Sequence, residues 1–205
     1  MSRLTGPRLK IMRSLGVDLP GLSRKTIEAR PTPPGQHGMK AMRRRKSDYG
    51  VKLQEKQKLR FNYGLTERQM RRLIIEARKG SEPTGDNFLQ LLERRLDNVI
   101  FRAGFAPSVI SARQLVTHGH VILNGRSANI PSMRVKVSDE ISLKLTSLKI
   151  PLVVETLAKP VLDRPDWLQW DEADKRIKVA HLPDADQVPF PIDVQQVVEY
   201  YSNRI

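Results

Sequence analysis

The chain has no cysteine, only four histidines and two tryptophans, and an aromatic content of 5%. Without cysteine there is no disulfide, no thiolate zinc site and no cysteine nucleophile. The histidines are far apart except for His118 and His120, which leaves little material for a histidine-based metal centre. No stretch of 18 apolar residues occurs, and the first 30 residues lack the apolar centre of a signal peptide. The sequence therefore predicts a soluble protein, cytosolic or made inside the compartment where it works. A phosphate-cradling GK[ST] loop, metal-ligand spacing and a nucleophile with an obvious base are also missing, so no catalytic constellation is found.

Acids are scarce relative to bases. Thirty-six Lys and Arg stand against 22 Asp and Glu, a net charge of +14 over 205 residues. Such a balance favours polyanionic partners, either nucleic acid or an acidic membrane surface. The surplus is uneven: residues 1 to 80 hold 21 bases and 6 acids, a net of +15, and the remainder is close to neutral. The length suits one large domain or two small ones.

Residues 1 to 46 are rich in Arg, Lys, Pro and Gly, and look like a poor core former. Within them "RPTPPGQHG" (30 to 38) cannot continue a helix, because prolines fix φ and remove donors. It reads either as a flexible linker or as preordered backbone beside the cations of "RRRK" (43 to 46). A charged helix is predicted from Ser47 to about Arg60, with Tyr49 and Leu53 on one face, broken at Gly64. Thr66 with Gln69 makes a capping box that opens a helix to Lys79, buried through Met70, Leu73, Ile74 and Ala77. From Phe88 to Ala103 the apolar residues recur at helical spacing, which predicts one helix ended by Gly104. A short helix restarts at Pro107-Ser108 and stops at Gly119.

Short strands follow: "HVIL", a turn at Asn124-Gly125, "SANI", "RVKV", a turn at 138 to 140, and "ISLKL". Residues 150 to 190 read as further strands with proline-rich joins, "WLQW" and "RIKVAHL" forming a hairpin. That segment carries more acids than bases, and Trp167 and Trp170 read as packing residues. Asp193 with Gln196 caps a terminal helix whose Val194, Val197, Val198 and Tyr201 need cover, which is expected on the basic N-terminal helices.

Residues 94 to 149 hold 9 bases against 3 acids. Arg94 and Arg95 start a turn of one predicted helix, Arg113 lies on the next, His118 and His120 sit at its end, and Arg126 follows the hairpin turn. A helix pair running straight into a hairpin brings these groups near one ridge, with donors for phosphates and sugar hydroxyls. Taken singly, His118 and His120 are more often local hydrogen-bonders, and Asn124-Gly125 is needed for the turn whatever the function.

The run "ARQLVTHGHVILNGR", within residues 93 to 143, resembles the αL-type RNA-binding domain. "TGPRLK", "PPGQHG", "SDYGVKLQEKQKLRFNYG", "TERQ", "TGDNFLQLLERRLDNVIFRAGFA" and the terminal "VVEYYS" together resemble the bacterial or organellar family of small-subunit ribosomal protein four, from residue 3 to about 204. The resemblance implies an α+β fold: a helical basic N-terminal domain over 1 to 92, joined by a C-terminal helix at 192 to 205. An α+β domain over 93 to 191 would be built on the αL element of about 93 to 149. It implies direct binding to 16S ribosomal RNA at a multi-helix junction of the 5′ domain, early in assembly, on cytoplasmic or organellar ribosomes.

By the same resemblance, the RNA role falls on Arg3, Arg8 and Lys10; on Pro34, Gly35, Gln36, His37 and Gly38; on Lys56, Lys58 and Arg60; and on Arg94, Arg113, His118, His120 and Arg126. Arg43, Arg44, Arg45 and Lys46 would face incoming messenger RNA. Small-subunit protein five would share an interface tied to decoding accuracy, with protein three as a neighbour. No membrane partner is implied. Many relatives bind zinc through a cysteine cluster in the first 40 residues; lacking one, this chain is expected to need no cofactor, and residues 1 to 46 are expected to be largely disordered without RNA.

The αL domain also occurs in pseudouridine synthases, which use the aspartate of an "RLD" motif, and "RLD" stands here at 95 to 97. It lies at helical spacing with Leu92 and Val99 and is followed by "NVIFRAG", and too little chain follows for a catalytic domain. Asp97 is therefore expected to be a surface or capping partner for an arginine. A free-standing RNA chaperone is the third reading, against which the second, more basic N-terminal module counts.

Overall fold

The structure, a computed structural model, describes residues 6–43, 45–202 and 204. The chain divides into two compact units, Met1–Phe88 with Val188–Ile205, and Leu89–Gln187. The architecture is α+β, and among the described residues no helix is long and apolar enough to cross a membrane.

The first unit is helical. It contains α1 (Arg8–Leu15), α2 (Gly38–Arg43), α3 (Asp48–Asn62), α4 (Glu67–Ala77), the start of α5 (Thr84–Glu93) and, from the end of the chain, α9 (Val194–Ser202). Pro7 precedes α1 and Gly16, at φ 68°, ends it by donating its N–H to Met12 O at 2.8 Å. This basic segment, which by composition is a poor core former, buries Met12, Leu15, Leu19 and Leu22. Two side chains of α3 tie it down: Gln54 Nε2 donates to Leu15 O at 2.6 Å, and Asn62 Oδ1 accepts from Gly21 N at 2.9 Å. Four spaced apolar side chains and two borrowed hydrogen bonds do what the composition did not suggest.

Ser47 caps α3, and the Thr66–Gln69 box caps α4 as expected. The second helix ends at Ala77, two residues early. Past that end, Asn87 Nδ2 donates to Ala77 O at 3.4 Å and to Glu82 O at 2.8 Å. Gly80 makes room for that side chain: a Cβ there would lie 2.4 Å from Asn87 Nδ2. Val197 and Tyr201 of α9 are buried where that helix packs on α3 and α4, so the terminal stripe is covered as the sequence suggested.

The second unit packs α6 (Leu96–Arg102), α7 (Val109–Thr117) and α8 (Pro151–Ala158) with one antiparallel sheet of β1 (Val121–Leu123), β2 (Arg126–Ala128), β3 (Glu140–Leu143), β4 (Leu168–Asp171) and β5 (Arg176–Val179). The strand order is β2-β1-β3-β5-β4. Asn124 and Gly125 take φ of 49° and 75°, which completes the type I′ turn between β1 and β2. The core runs from Leu96, Val99 and Ile100 through Val116, Val121 and Ile141 to Trp167 and Ile177. Trp167 is fully buried and Trp170 meets Phe105 edge-on, so both tryptophans are packing residues.

Three expectations fail here. The continuous helix from Phe88 to Ala103 is broken at Arg95, which is extended (φ −68°, ψ 136°) and bridges to Arg134. Leu96 N donates to Met133 O at 2.8 Å and Asp97 N to Pro131 O at 3.1 Å, so a distant segment takes bonds the helix would have used. "RVKV" accordingly contributes one bridge rather than a strand. Residues 151 to 158 form a helix, not a strand, with Pro151 at its first turn; Thr156 Oγ1 donates back to Leu152 O at 2.7 Å.

Where α9 meets α4, Tyr201 Oη donates to Glu67 Oε1 at 2.7 Å and Lys56 Nζ to Glu67 Oε2 at 2.8 Å. Burial pushes the Glu67 pKa up, but hydrogen bonds from Lys56 and Tyr201 outweigh it and hold the carboxyl below its ordinary value of 4.5. A depressed folded-state pKa gives stability that is present above about 4.5 and lost as pH falls through the folded value. Urea unfolding between pH 3 and pH 7 should therefore show a loss of stability on acidification that Glu67→Gln makes shallower; an identical pH profile for the variant would refute the assignment.

Candidate nucleic-acid interface

The second unit carries its candidate surface where α7 runs into the β1–β2 hairpin. Ser108 caps α7 by accepting from Ser111 N, and Gly119 at φ 70° turns the chain out of the helix. His118 N donates to Gln114 O, Gly119 N to Val116 O and His120 N to Leu115 O, all at 2.9 to 3.0 Å, so the junction is closed by its own backbone. Lys144 N then donates to His120 O at 2.9 Å, stitching the end of β3 to the junction. Ser127 Oγ donates to Gly119 O at 3.4 Å.

An open patch results. A Cβ on Gly119 would lie 3.7 Å from Ser127 Oγ and 4.0 Å from Lys144 Nζ, which places an exposed hydroxyl and an exposed ammonium against bare backbone. His118 is exposed, its ring 6.1 Å from that of His120, whose Nδ1 is 2.9 Å from Ser147 Oγ. Arg126 is exposed at the start of β2, paired in register with Leu123. Strand alternation puts it on the sheet face opposite Ser127, at the rim of the patch rather than inside it. Lys144 is not among the residues that the sequence singles out. Its signal was its position at the end of the strand that follows the hairpin.

The other three arginines expected on this ridge are drawn inward. Arg94 Nε donates to Val135 O at 3.1 Å. Arg113 places Nε at 2.9 Å and Nη2 at 2.7 Å from Asp97 Oδ2, and its side chain is 19% exposed. Asp97 itself is fully buried, not at the surface, and also takes both prongs of Arg95 at 3.1 and 2.9 Å. The "RLD" aspartate is thus an arginine partner in the interior.

In the first unit the "PPGQHG" loop has a fixed shape. Gly35 stands at φ 105° and its carbonyl accepts from Gly38 N at 3.3 Å. Arg13, which the sequence reading did not single out, anchors the loop from α1: its Nε donates to Thr32 O at 2.8 Å and its Nη2 to Pro33 O at 3.5 Å. Pro34 is half-buried and Gly38 buried, whereas Gln36 and His37 are exposed at the tip. Arg8 and Lys10 on α1 are exposed, as are Lys40, Arg43, Arg45 and Lys46; Arg3 and Arg44 lie outside the described residues.

Lys56 and Lys58 of α3, expected to serve RNA, are turned into the first unit. Both are buried: Lys56 is held by Glu67 and lies 5.0 Å from the Tyr200 ring centre, and Lys58 donates to Glu55 Oε1 at 2.6 Å and to Pro191 O at 3.3 Å. Arg60 is half-buried, against Gln57 and the ring of Phe61. Among the described residues, no group of three or more His, Asp and Glu is placed to hold a metal ion.

A Cβ on Gly38 would sit 2.2 Å from Pro33 O, a backbone atom that cannot swing aside. Gly38→Ala should therefore open the loop: amide hydrogen exchange of residues 35 to 38 should accelerate, and stability should fall by about 1 to 3 kcal/mol. Unchanged exchange and stability would show that the close approach is not maintained in solution.

Two family models match the chain in adjoining spans, from residue 3 to residue 141. Residues 3–93 match "Ribosomal protein S4/S9 N-terminal domain" and residues 94–141 match "S4 domain". The junction between the two matches falls at the helix break before Arg95. The chain is 73% identical over 205 residues to "Small ribosomal subunit protein uS4" of Methylobacillus flagellatus, and 71% identical over 205 residues to "Small ribosomal subunit protein uS4B" of Nitrosomonas europaea. A uS4 of Synechococcus elongatus is 48% identical over 206 residues, and all three comparisons cover the whole of both chains. The chain belongs to the uS4 family of small ribosomal subunit proteins.

Proposed function

We propose that the chain, as a structural constituent of the small ribosomal subunit, binds 16S ribosomal RNA directly at a multi-helix junction of the 5′ domain and nucleates assembly there. Its family is one of structural proteins rather than enzymes. The observation that carries the RNA reading is the sorting of its cations. Arg95, Lys56 and Lys58 are buried against carboxylates, whereas Lys144, Arg126, Lys40, Arg43, Arg45 and Lys46 stand exposed beside backbone of fixed shape. Exposed cations of this kind suit phosphates, and fixed backbone suits shape recognition of a folded RNA.

Arg43, Arg45 and Lys46 follow the anchored loop and would meet incoming messenger RNA. Small-subunit proteins five and three would be the protein neighbours, the first with a bearing on decoding accuracy. Residues 150 to 190, which hold more acids than bases, are less suited to RNA and leave that part of the second unit for protein contacts.

Binding of the full chain to the isolated 5′ domain of 16S ribosomal RNA, against an unrelated structured RNA of equal length, tests this across a salt series. A preference of about a thousandfold or more is expected. With roughly eight phosphates neutralised, log K should fall against log[salt] with a slope of about −6 to −7. Lys144→Ala should flatten that slope by about one unit, and Arg126→Ala should cost about 1 to 3 kcal/mol on the cognate RNA. Equal and steeply salt-sensitive binding to both RNAs would overturn the reading in favour of a general polyanion binder of the chaperone kind.

A further inference from the structure

We propose that Asp97 is a positioning residue for RNA binding, acting through Arg113 to fix how α7 presents the His118–His120 junction; this deepens the RNA-binding reading above and rests on it. Its carboxylate has no exposure and five donor atoms on it: Arg95 Nε and Nη2, Arg113 Nε and Nη2, and Asn98 N. Its own N–H donates to Pro131 O. One residue therefore joins the extended break at Arg95, the first turn of α6, the middle of α7 and the 131–134 segment.

Arg113 sits one helical turn before Thr117, the last residue of α7, after which come His118, Gly119 and His120. A rotation of α7 about its axis would carry this junction away from Ser127 and Lys144. The fork of Arg113 on Oδ2 resists such a rotation, because a guanidinium held through two nitrogens fixes direction as well as distance. A lysine in its place keeps the charge and loses the fork. The alternative role for Arg113 is a direct phosphate contact, and the two roles differ in salt dependence. Loss of a phosphate contact flattens the slope of log K against log[salt] by about 0.7 to 0.9, whereas loss of a positioning contact lowers affinity at unchanged slope.

The test uses the full chain with Asp97→Asn, Arg113→Lys, Arg113→Met and the double variant Asp97→Asn/Arg113→Met, each checked for fold by circular dichroism. Affinity for the 5′ domain of 16S ribosomal RNA is measured across salt, and amide hydrogen exchange of residues 118 to 128 is measured in the free protein. Each single variant should bind about tenfold or more weakly at the wild-type slope and exchange faster over 118 to 128. The double variant should be no weaker than the weaker single, because both remove one interaction. Arg113→Met with a flattened slope, alongside Asp97→Asn within about twofold of wild type, would overturn the proposal. If Asp97→Asn does not fold, Arg113→Lys decides: wild-type affinity and wild-type exchange would overturn it equally. A wild-type protein with no preference for the 5′ domain would instead remove the RNA-binding reading, and the exchange data would still report whether Arg113 and Asp97 hold the junction.

Discussion

A carboxylate with no access to water is costly to bury unless donors surround it, and the second unit is organised around meeting that condition for Asp97. Its two arginines come from opposite sides of the polypeptide path, Arg95 from two residues upstream and Arg113 from the next helix. Arg95 reaches Asp97 only because the chain is extended there, and the extension is held by its bridge to Arg134. The break between α5 and α6, the angle at which α6 starts and the placement of α7 are thus parts of one arrangement. Removing one partner of such a cluster typically costs about 3 to 5 kcal/mol, far more than a surface pair. A second buried carboxylate, Glu93, lies just before the break, accepting from Asn98 Nδ2 at 3.0 Å with Arg102 Nε 3.5 Å away.

This arrangement marks the limit of what the sequence discloses. Leu92, Leu96, Val99 and Ile100 keep helical spacing straight through Arg95, so periodicity alone predicts an unbroken helix. The bridge that breaks it comes from a residue nearly forty positions on, and non-local pairing leaves no trace in local spacing. Signals complete within a few residues fared better: the Thr66–Gln69 box, the Asn124-Gly125 turn, the 168–179 hairpin and the Asp193 cap all stand as read. Residues 151 to 158 failed for a different reason. Val153, Val154 and Thr156 are β-branched, which weighs towards strand, although the proline at 151 suits the first turn of a helix.

The candidate site was legible in its backbone and less so in its cations. Gly119, Asn124 and Gly125 could be assigned because their conformations are demanded locally. Lysine and arginine carry no such mark. Lys56 and an exposed Lys40 look alike in a sequence, yet one is gripped by Glu67 from the following helix and the other faces solvent. Arg13 was passed over for the same reason, since its targets are the carbonyls of Thr32 and Pro33, about twenty residues away.

Internal pairing consumes charges of both signs in equal number, and this determines what the surface must be. In residues 1 to 80 there are six acids, and Glu55 and Glu67 are taken up by Lys58 and Lys56. The net charge of +15 is untouched by these pairs and falls on the remaining side chains, among which only four acids are left to moderate it. A field of that kind draws a polyanion in without choosing among polyanions. Choice must come from features that do not yield: the 33-to-38 loop closed against Pro33 and anchored by Arg13, and the α7–β1 junction closed by its own backbone and braced through Asp97. On the proposed RNA-binding function, the first unit would supply most of the attraction, and rigid backbone in both units would supply the shape against which a folded RNA is fitted.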